Sequence, residues 1–213
     1  LGYTDDDGHG LIGVEKAFDQ RLADPVQRAA PLALSIDVRV QQAMQNELAA
    51  LVADQNAKGA AGVVMDVNTG EVLAMVSLPD FNPNVPGQRA DGTKYTTQND
   101  DGSRFNRVTL GGYELGSTFK AFTIATALET GTLTNLQKLY DATAPLYVAG
   151  FRIRDDHAKN RWLTVPEIFI YSSNIGTARM AVELGRDRQR AYLDKLGFLK
   201  PVEVELKEKA RPQ

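Results

Sequence analysis

Glu114-Leu115-Gly116-Ser117-Thr118-Phe119-Lys120 is the stretch that decides the fold of this chain. A serine stands three residues before a lysine, at the start of an apolar repeat of helical spacing that ends at Gly131. Residues i and i+3 share one face of a helix, so the Ser117 Oγ and the Lys120 Nζ can meet. A serine becomes a nucleophile when a base takes its proton, and a lysine serves as that base once its pKa falls. The simpler alternative is a helix cap followed by a surface lysine.

The neighbours of this pair fit the first interpretation. Phe119, Phe122 and Tyr113 can supply the apolar surroundings that lower a lysine pKa. The start of the helix adds positive potential, and the Ser117 backbone N–H can donate to a developing oxyanion. Glu114 is expected either to orient the loop or to pair with a cation.

A second polar cluster, Ser172-Ser173-Asn174, interrupts a helical region. The first helix of that region opens with the capping box Thr164-Val165-Pro166-Glu167. At a break between helices, Ser172 could relay a proton and Asn174 could hold a substrate amide. Ordinary capping of the following helix is the alternative.

Upstream of Ser117, the pattern predicts a helix flanked by strands. Leu32–Ile36 is expected to be a short strand, followed by a helix from Val38 to about Ala57 that Asp37 caps. Two strands, 62–67 and 71–77, flank the turn residues Asn68-Thr69-Gly70. Both strands are apolar on both faces, so we expect helices to cover the antiparallel sheet on both sides. Residues 78–112 have many turn residues and little periodicity, which is typical of a functional loop.

Composition excludes several classes of protein. The net charge is −3 and the isoelectric point is near 5.5, so the chain has no basic field for nucleic acid. There are no cysteines, hence no disulfide and no thiolate metal site. His9 and His157 lack partners for a metal site or a catalytic triad, and surface loops are the better interpretation for both. No apolar run reaches the ~20 residues of a membrane helix.

Several stretches together resemble one family. Gly116–Lys120 and Ser172–Asn174 resemble the first two of the S-x-x-K, S-D-N and K-T-G motifs of penicillin-binding proteins. Four further stretches are similar to the class B members of that family; they are residues 10–19, 33–37, 66–75 and 79–83. Within class B they are most similar to the septal D,D-transpeptidases, which crosslink peptidoglycan during division. The resemblance implies an α/β fold of the α+β type, with an antiparallel sheet covered by helices. It also implies two parts: residues 1–30 would end an N-terminal pedestal domain, and residues 31–213 would begin the transpeptidase domain.

The resemblance also implies the chemistry. Ser117 would attack the D-Ala-D-Ala bond of a peptidoglycan stem peptide, Lys120 would be the base, and Ser172 and Asn174 would move protons and position the substrate. β-Lactam antibiotics would acylate the same serine, and no metal or cofactor is expected. Other division proteins, including a septal glycosyltransferase, would be partners. The protein would face the periplasm from the inner membrane, anchored by a helix outside this sequence.

The sequence departs from the family pattern at three places. Leu115 and Phe119 replace a common proline and valine, and no Lys-Thr-Gly or Lys-Ser-Gly follows Asn174. We therefore expect a chain truncated at both ends, with an incomplete sheet and little or no activity by itself. An elongation-specific transpeptidase, a β-lactamase or β-lactam sensor domain, and a division scaffold without turnover remain alternatives.

Overall fold

The computed structural model describes residues 1–88, 92–96 and 102–211. These residues form two compact units, one of Leu1–Gly112 with Val202–Arg211 and one of Tyr113–Pro201. The predicted boundary between 1–30 and 31–213 concerns a domain of the whole protein, and it stays a prediction.

The first unit contains two antiparallel hairpins and one long helix. Its elements in chain order are β1 (Gly2–Thr4), β2 (Gly10–Ile12), α1 (Gly13–Ala17), α2 (Asp19–Ala23), a 3-10 turn (Gln27–Ala29), α3 (Val38–Asp54), β3 (Ala60–Met65) and β4 (Val72–Leu78). Leu78 ends β4, and the described parts of the rest of the predicted irregular stretch 78–112 hold no helix or strand beyond an isolated bridge between Gln88 and Lys94.

The hairpin of β3 and β4 confirms the predicted turn. The Asp66 carboxylate accepts from the N–H groups of Asn68 and Thr69, at 2.7 and 3.0 Å, and the Gly70 N–H donates to the Asp66 carbonyl. An aspartate that binds the backbone ahead of it is a common way to close a tight turn. Gly70 has a φ of 79°, which glycine adopts at little cost.

Helix α3 packs on one face of this hairpin. A Cβ on Gly62 would lie 2.8 Å from the Met44 Sδ and 3.0 Å from the Leu48 Cδ1, so a larger residue would require these two side chains to shift. The Gln41 side chain donates to the carbonyl of Met75 and accepts from its N–H, which satisfies the outer edge of β4.

Two details differ from the expectation. Residues 32–36 form no strand. The segment contacts β4 instead through the Ser35 Oγ, which donates to the Val72 carbonyl, and through the next residue but one, Asp37, whose N–H donates to the Leu73 carbonyl. Within the described residues the second face of the hairpin is only partly covered, since Val63 and Met65 are 41% and 49% exposed.

The second unit contains four helices and two short antiparallel ladders. Its elements are a 3-10 turn (Gly116–Phe119), α4 (Lys120–Glu129), β5 (Leu139–Asp141), β6 (Leu146–Val148), β7 (Phe151–Ile153), β8 (Trp162–Thr164), α5 (Val165–Ile170), α6 (Asn174–Leu184) and α7 (Arg186–Lys195). β5 pairs with β8, and β6 pairs with β7. Within the described residues no helix is long and apolar enough to cross a membrane.

One apolar core supports the helices of this unit. It brings together side chains from α4, α5, α6 and the ladder of β5 and β8; its largest fully buried members are Leu133, Leu163, Ile168 and Met180. The predicted capping box is confirmed, since the Glu167 N–H donates to the Thr164 Oγ1 and the Thr164 N–H donates to the Glu167 carboxylate. The core and the cap fix α5 and α6 at the point where their junction meets the start of α4.

Candidate active site

Ser117 lies in the 3-10 turn Gly116–Phe119, and Lys120 is the first residue of α4, which follows it directly. The predicted α-helical start is therefore wound more tightly than expected, and in a 3-10 turn the side chains at i and i+3 eclipse each other. The Lys120 Nζ donates to the Ser117 Oγ over 2.8 Å. Ser117 is exposed, whereas Lys120 is only 8% exposed. The exposed hydroxyl of Ser117 is therefore hydrogen-bonded to the buried amine of Lys120.

The junction of α5 and α6 places Ser172, Ser173 and Asn174. The Ser172 N–H donates to the Phe169 carbonyl and the Ser173 N–H donates to the Ile168 carbonyl, which is the Schellman ending of a helix. In that motif the first residue after the cap is left-handed, and Ser172 has a φ of 53°. Ser173 then caps α6 by accepting from the Gly176 N–H, so the capping alternative is correct for Ser173.

The other three predicted site residues converge on the Lys120 Nζ. Besides Ser117, the amine contacts the Ser172 carbonyl and the Ser172 Oγ, both at 2.9 Å, and the Asn174 Oδ1 at 2.8 Å. The Ser172 Oγ also donates to the Ser117 Oγ over 2.8 Å. The amine and the two hydroxyls therefore form a triangle in which each atom is within hydrogen-bonding reach of the other two.

This arrangement accommodates both protonation states of the lysine. A neutral amine has two N–H groups for the Ser172 carbonyl and the Asn174 Oδ1, and its lone pair faces the Ser117 hydroxyl. A protonated amine has three N–H groups, and its third can turn to either hydroxyl. A proton can therefore pass from Ser117 to Lys120 and on to Ser172 without movement of the backbone.

Burial lowers the pKa of Lys120 from the ordinary lysine value, and the carboxylates of Asp155 and Asp156 oppose that change. The neutral amine is therefore easier to form at this site than in water. A lysine must be neutral to accept a proton as a base. Of the proposed apolar neighbours, Phe119 and Phe122 pack together with centroids 5.7 Å apart. Tyr113 is 63% exposed, and its contribution stays a prediction.

Sequence reasoning missed two groups near the site. Phe198 packs against Phe119 and Phe122, with centroid distances of 6.0 and 5.0 Å. The segment Arg154–Asp155 binds the start of α6, although the sequence predicted a surface loop around the neighbouring His157. An aspartate that follows an extended stretch and precedes the serine pair was the available signal, but contacts across about 20 residues leave no local pattern.

Among the described residues, the remaining polar candidates form no hydrogen bond or ion pair with the four site residues. Glu114 is exposed, and His157 is exposed as predicted. His9 is exposed and lies 3.6 Å from an Asp5 carboxylate oxygen. Across residues 1–88, 92–96 and 102–211, no group of three or more His, Cys, Asp or Glu side chains could hold a metal ion.

Comparison with known proteins agrees with this geometry. The family model of the penicillin binding protein transpeptidase domain matches residues 60–211. The chain therefore belongs to the penicillin-binding transpeptidase family, and the predicted α+β fold class is confirmed.

Individual relatives show which members of the family this chain resembles. The chain is 44% identical to the probable peptidoglycan D,D-transpeptidase FtsI of Caulobacter vibrioides, over 100% of this chain and 34% of that protein. It is 33% identical to the peptidoglycan D,D-transpeptidase FtsI of Escherichia coli, over 86% of this chain and 33% of that protein. The crystal structure of a D,D-transpeptidase domain from Eggerthella lenta matches with a TM-score of 0.80 and 29% identity, over 99% of this chain and 48% of that one. The chain thus spans about a third of the length of these two curated relatives.

Proposed function

We propose that this chain carries the nucleophile of a septal serine D,D-transpeptidase that crosslinks peptidoglycan stem peptides. The observation that carries the proposal is the contact of one buried lysine amine with Ser117, Ser172 and Asn174 at 2.8 to 2.9 Å. The similarity to two proteins named peptidoglycan D,D-transpeptidase FtsI supports this choice of reaction and of the division branch.

The reaction uses the four residues in the predicted roles. The Ser117 Oγ attacks the carbonyl carbon of the penultimate D-alanine while its proton passes to the Lys120 Nζ. Ser172 relays that proton to the nitrogen of the departing D-alanine, and the carbon–nitrogen bond breaks to leave an ester on Ser117. An amine of a second stem peptide then attacks this ester, loses a proton along the same route and forms the crosslink. Asn174 holds the amide of the donor stem.

The remaining parts of the proposal concern the setting of the reaction. A β-lactam acylates Ser117 because its strained amide takes the place of the D-Ala-D-Ala bond, and the reaction uses no metal or cofactor. The protein acts at the periplasmic face of the inner membrane, beside a septal glycosyltransferase and other division proteins. Residues 1–30 end the pedestal domain, and residues 31–213 begin the transpeptidase domain.

Acylation by a fluorescent penicillin tests the proposal. Mass spectrometry of the full-length protein is expected to show one adduct, on Ser117, which Ser117→Ala removes. Ser35→Ala is the control, since it removes an exposed serine from the other unit. An adduct elsewhere, or none in the full-length protein, would overturn the proposal.

The stability of the adduct and the phenotype of Ser117→Ala in cells separate the alternatives. Rapid loss of the adduct would indicate a β-lactamase. Normal septation with Ser117→Ala in cells would indicate a scaffold, and a defect in elongation alone would indicate the elongation-specific branch. The 213-residue chain is expected to acylate weakly or not at all, because its sequence has no Lys-Thr-Gly or Lys-Ser-Gly after Asn174.

A further inference from the structure

We propose that Asp155 is a positioning residue of this site: its carboxylate holds the start of α6 so that Ser172 and Asn174 stay against Lys120. The inference rests on the proposed function of the serine–lysine pair. Asp155 belongs neither to the motif of Ser117 and Lys120 nor to the motif Ser172–Asn174, and it lies outside α5 and α6.

The Asp155 carboxylate makes one hydrogen bond with each oxygen. Oδ2 accepts from the Ser173 Oγ over 2.8 Å, and Oδ1 accepts from the Ile175 N–H over 2.9 Å. Ile175 is only 2% exposed, so its N–H has poor access to water as an alternative partner. The carboxylate also faces the positive end of α6, which favours a negative charge there.

The preceding residue completes the contact. The carbonyl of Arg154 accepts from the Asn174 Nδ2 over 2.9 Å, while the Oδ1 of the same amide contacts the Lys120 Nζ over 2.8 Å. The two ends of the amide are thus fixed by different partners. Because Arg154 and Asp155 are adjacent, a displacement of Asp155 moves the carbonyl that orients Asn174.

The hydroxyl of Ser173 links this contact to Ser172. It donates to Asp155 and accepts from the Gly176 N–H over 3.0 Å, so both of its roles are defined. Ser173 follows the left-handed Ser172, whose carbonyl and Oγ both contact Lys120. Fixing Ser173 therefore fixes the direction of the strained residue before it.

Charge gives a second effect that can be measured separately. Asp155 and Asp156 both raise the pKa of Lys120. Of the charged groups on α5, α6 and α7, which pack on α4, Glu167 pairs with Arg161, Arg179 with Asp141, Glu183 with Lys138, and Lys195 with Glu129. The other charged residues of α7 are exposed; they are Arg186, Asp187, Arg188, Arg190 and Asp194. Asp156 is exposed, so Asp156→Asn removes a neighbouring charge and serves as the matched control.

The test compares acylation rates of the full-length protein as a function of pH. Removing either negative charge lowers the pKa of Lys120 further, so the acidic limb of the profile shifts to lower pH in Asp155→Asn and in Asp156→Asn. Asp155→Asn is also expected to lower the plateau rate at least about tenfold, because small displacements of reacting groups are costly. Asp156→Asn is expected to keep the plateau within about twofold.

Ser173→Ala separates position from charge. It removes one of the two contacts and leaves the carboxylate, so it is expected to lower the plateau without shifting the acidic limb. It also decides the case in which Asp155→Asn does not fold. Equal plateaus in Asp155→Asn and Asp156→Asn, or an unchanged plateau in Ser173→Ala, would overturn the inference and leave the proposed function standing. A wild-type protein that no penicillin acylates would overturn both.

Discussion

Gly176→Ala is expected to force α5 and α6 apart directly behind the site. Gly176 lies in the first turn of α6, two residues after Asn174. A Cβ at this position would lie 2.6 Å from the Ile168 Cγ1 and 2.8 Å from its Cδ1. Ile168 is fully buried in the core, so its side chain has little room to withdraw.

The magnitude follows from two opposing effects. Carbon atoms pack at about 3.5–4.0 Å, so the new methyl group is about 1 Å too close. Such overpacking costs about 1–3 kcal/mol. Alanine favours a helix interior over glycine by about 1 kcal/mol. We therefore expect Gly176→Ala to lower the free energy of unfolding by about 0–2 kcal/mol, although the same change in an open helix would raise it.

A double-mutant cycle isolates the contact. Ile168→Ala alone costs about 2–5 kcal/mol by leaving a cavity. In that background the Ile168 atoms that the new methyl group would meet are gone, so Gly176→Ala is expected to raise the free energy of unfolding in urea by about 1 kcal/mol. The coupling between the two sites is then about 1–3 kcal/mol. A gain of about 1 kcal/mol from Gly176→Ala in the wild-type background would refute the reasoning.

Three further changes test the site and its support. Since burial lowers the pKa of Lys120, acylation of Ser117 in the full-length protein should rise with pH and level off below the ordinary lysine range, and Lys120→Met should abolish it; a flat profile would argue against this base. Ser172→Gly should change the free energy of unfolding in urea by no more than about 1 kcal/mol while acylation slows, because glycine relieves the strain of a φ of 53° but removes the Oγ that contacts Lys120. Thr164→Ala should cost about 1 kcal/mol through the lost cap, and an unchanged urea midpoint would contradict it.

The local parts of the site could be predicted from the sequence. The pairing of Ser117 with Lys120 follows from their spacing along one turn, and the capping box follows from Thr164 and Glu167. The turn between β3 and β4 was equally evident from Asn68-Thr69-Gly70. In each case the residues that interact are neighbours in the chain, so their spacing alone carries the geometry.

Other features depend on contacts between distant segments. Asp155 binds the start of α6 through partners about 20 residues away. Nothing in the sequence Asp155-Asp156-His157 distinguishes a segment that makes this contact from a solvated loop. The partly exposed Val63 and Met65 show the converse case, because an apolar pattern indicates that a face can be buried but not by what. Residues 32–37 illustrate a third case, because they bind β4 through the Ser35 side chain and the Asp37 N–H without the backbone pairing of a strand.

The left-handed conformation of Ser172 explains why a serine ends α5. A Schellman ending usually takes glycine, and another residue there costs about 1–2 kcal/mol. Glycine could present its carbonyl to Lys120, but a second oxygen must come from a side chain; for Ser172 the carbonyl and the Oγ both lie 2.9 Å from the Nζ. Hydrogen bonds to a charged group contribute about 1.5–3 kcal/mol each, so the second contact offsets the backbone strain whenever the amine is protonated. The strain is therefore best compensated in the state that follows proton transfer from Ser117, which favours the lysine as the acceptor of that proton.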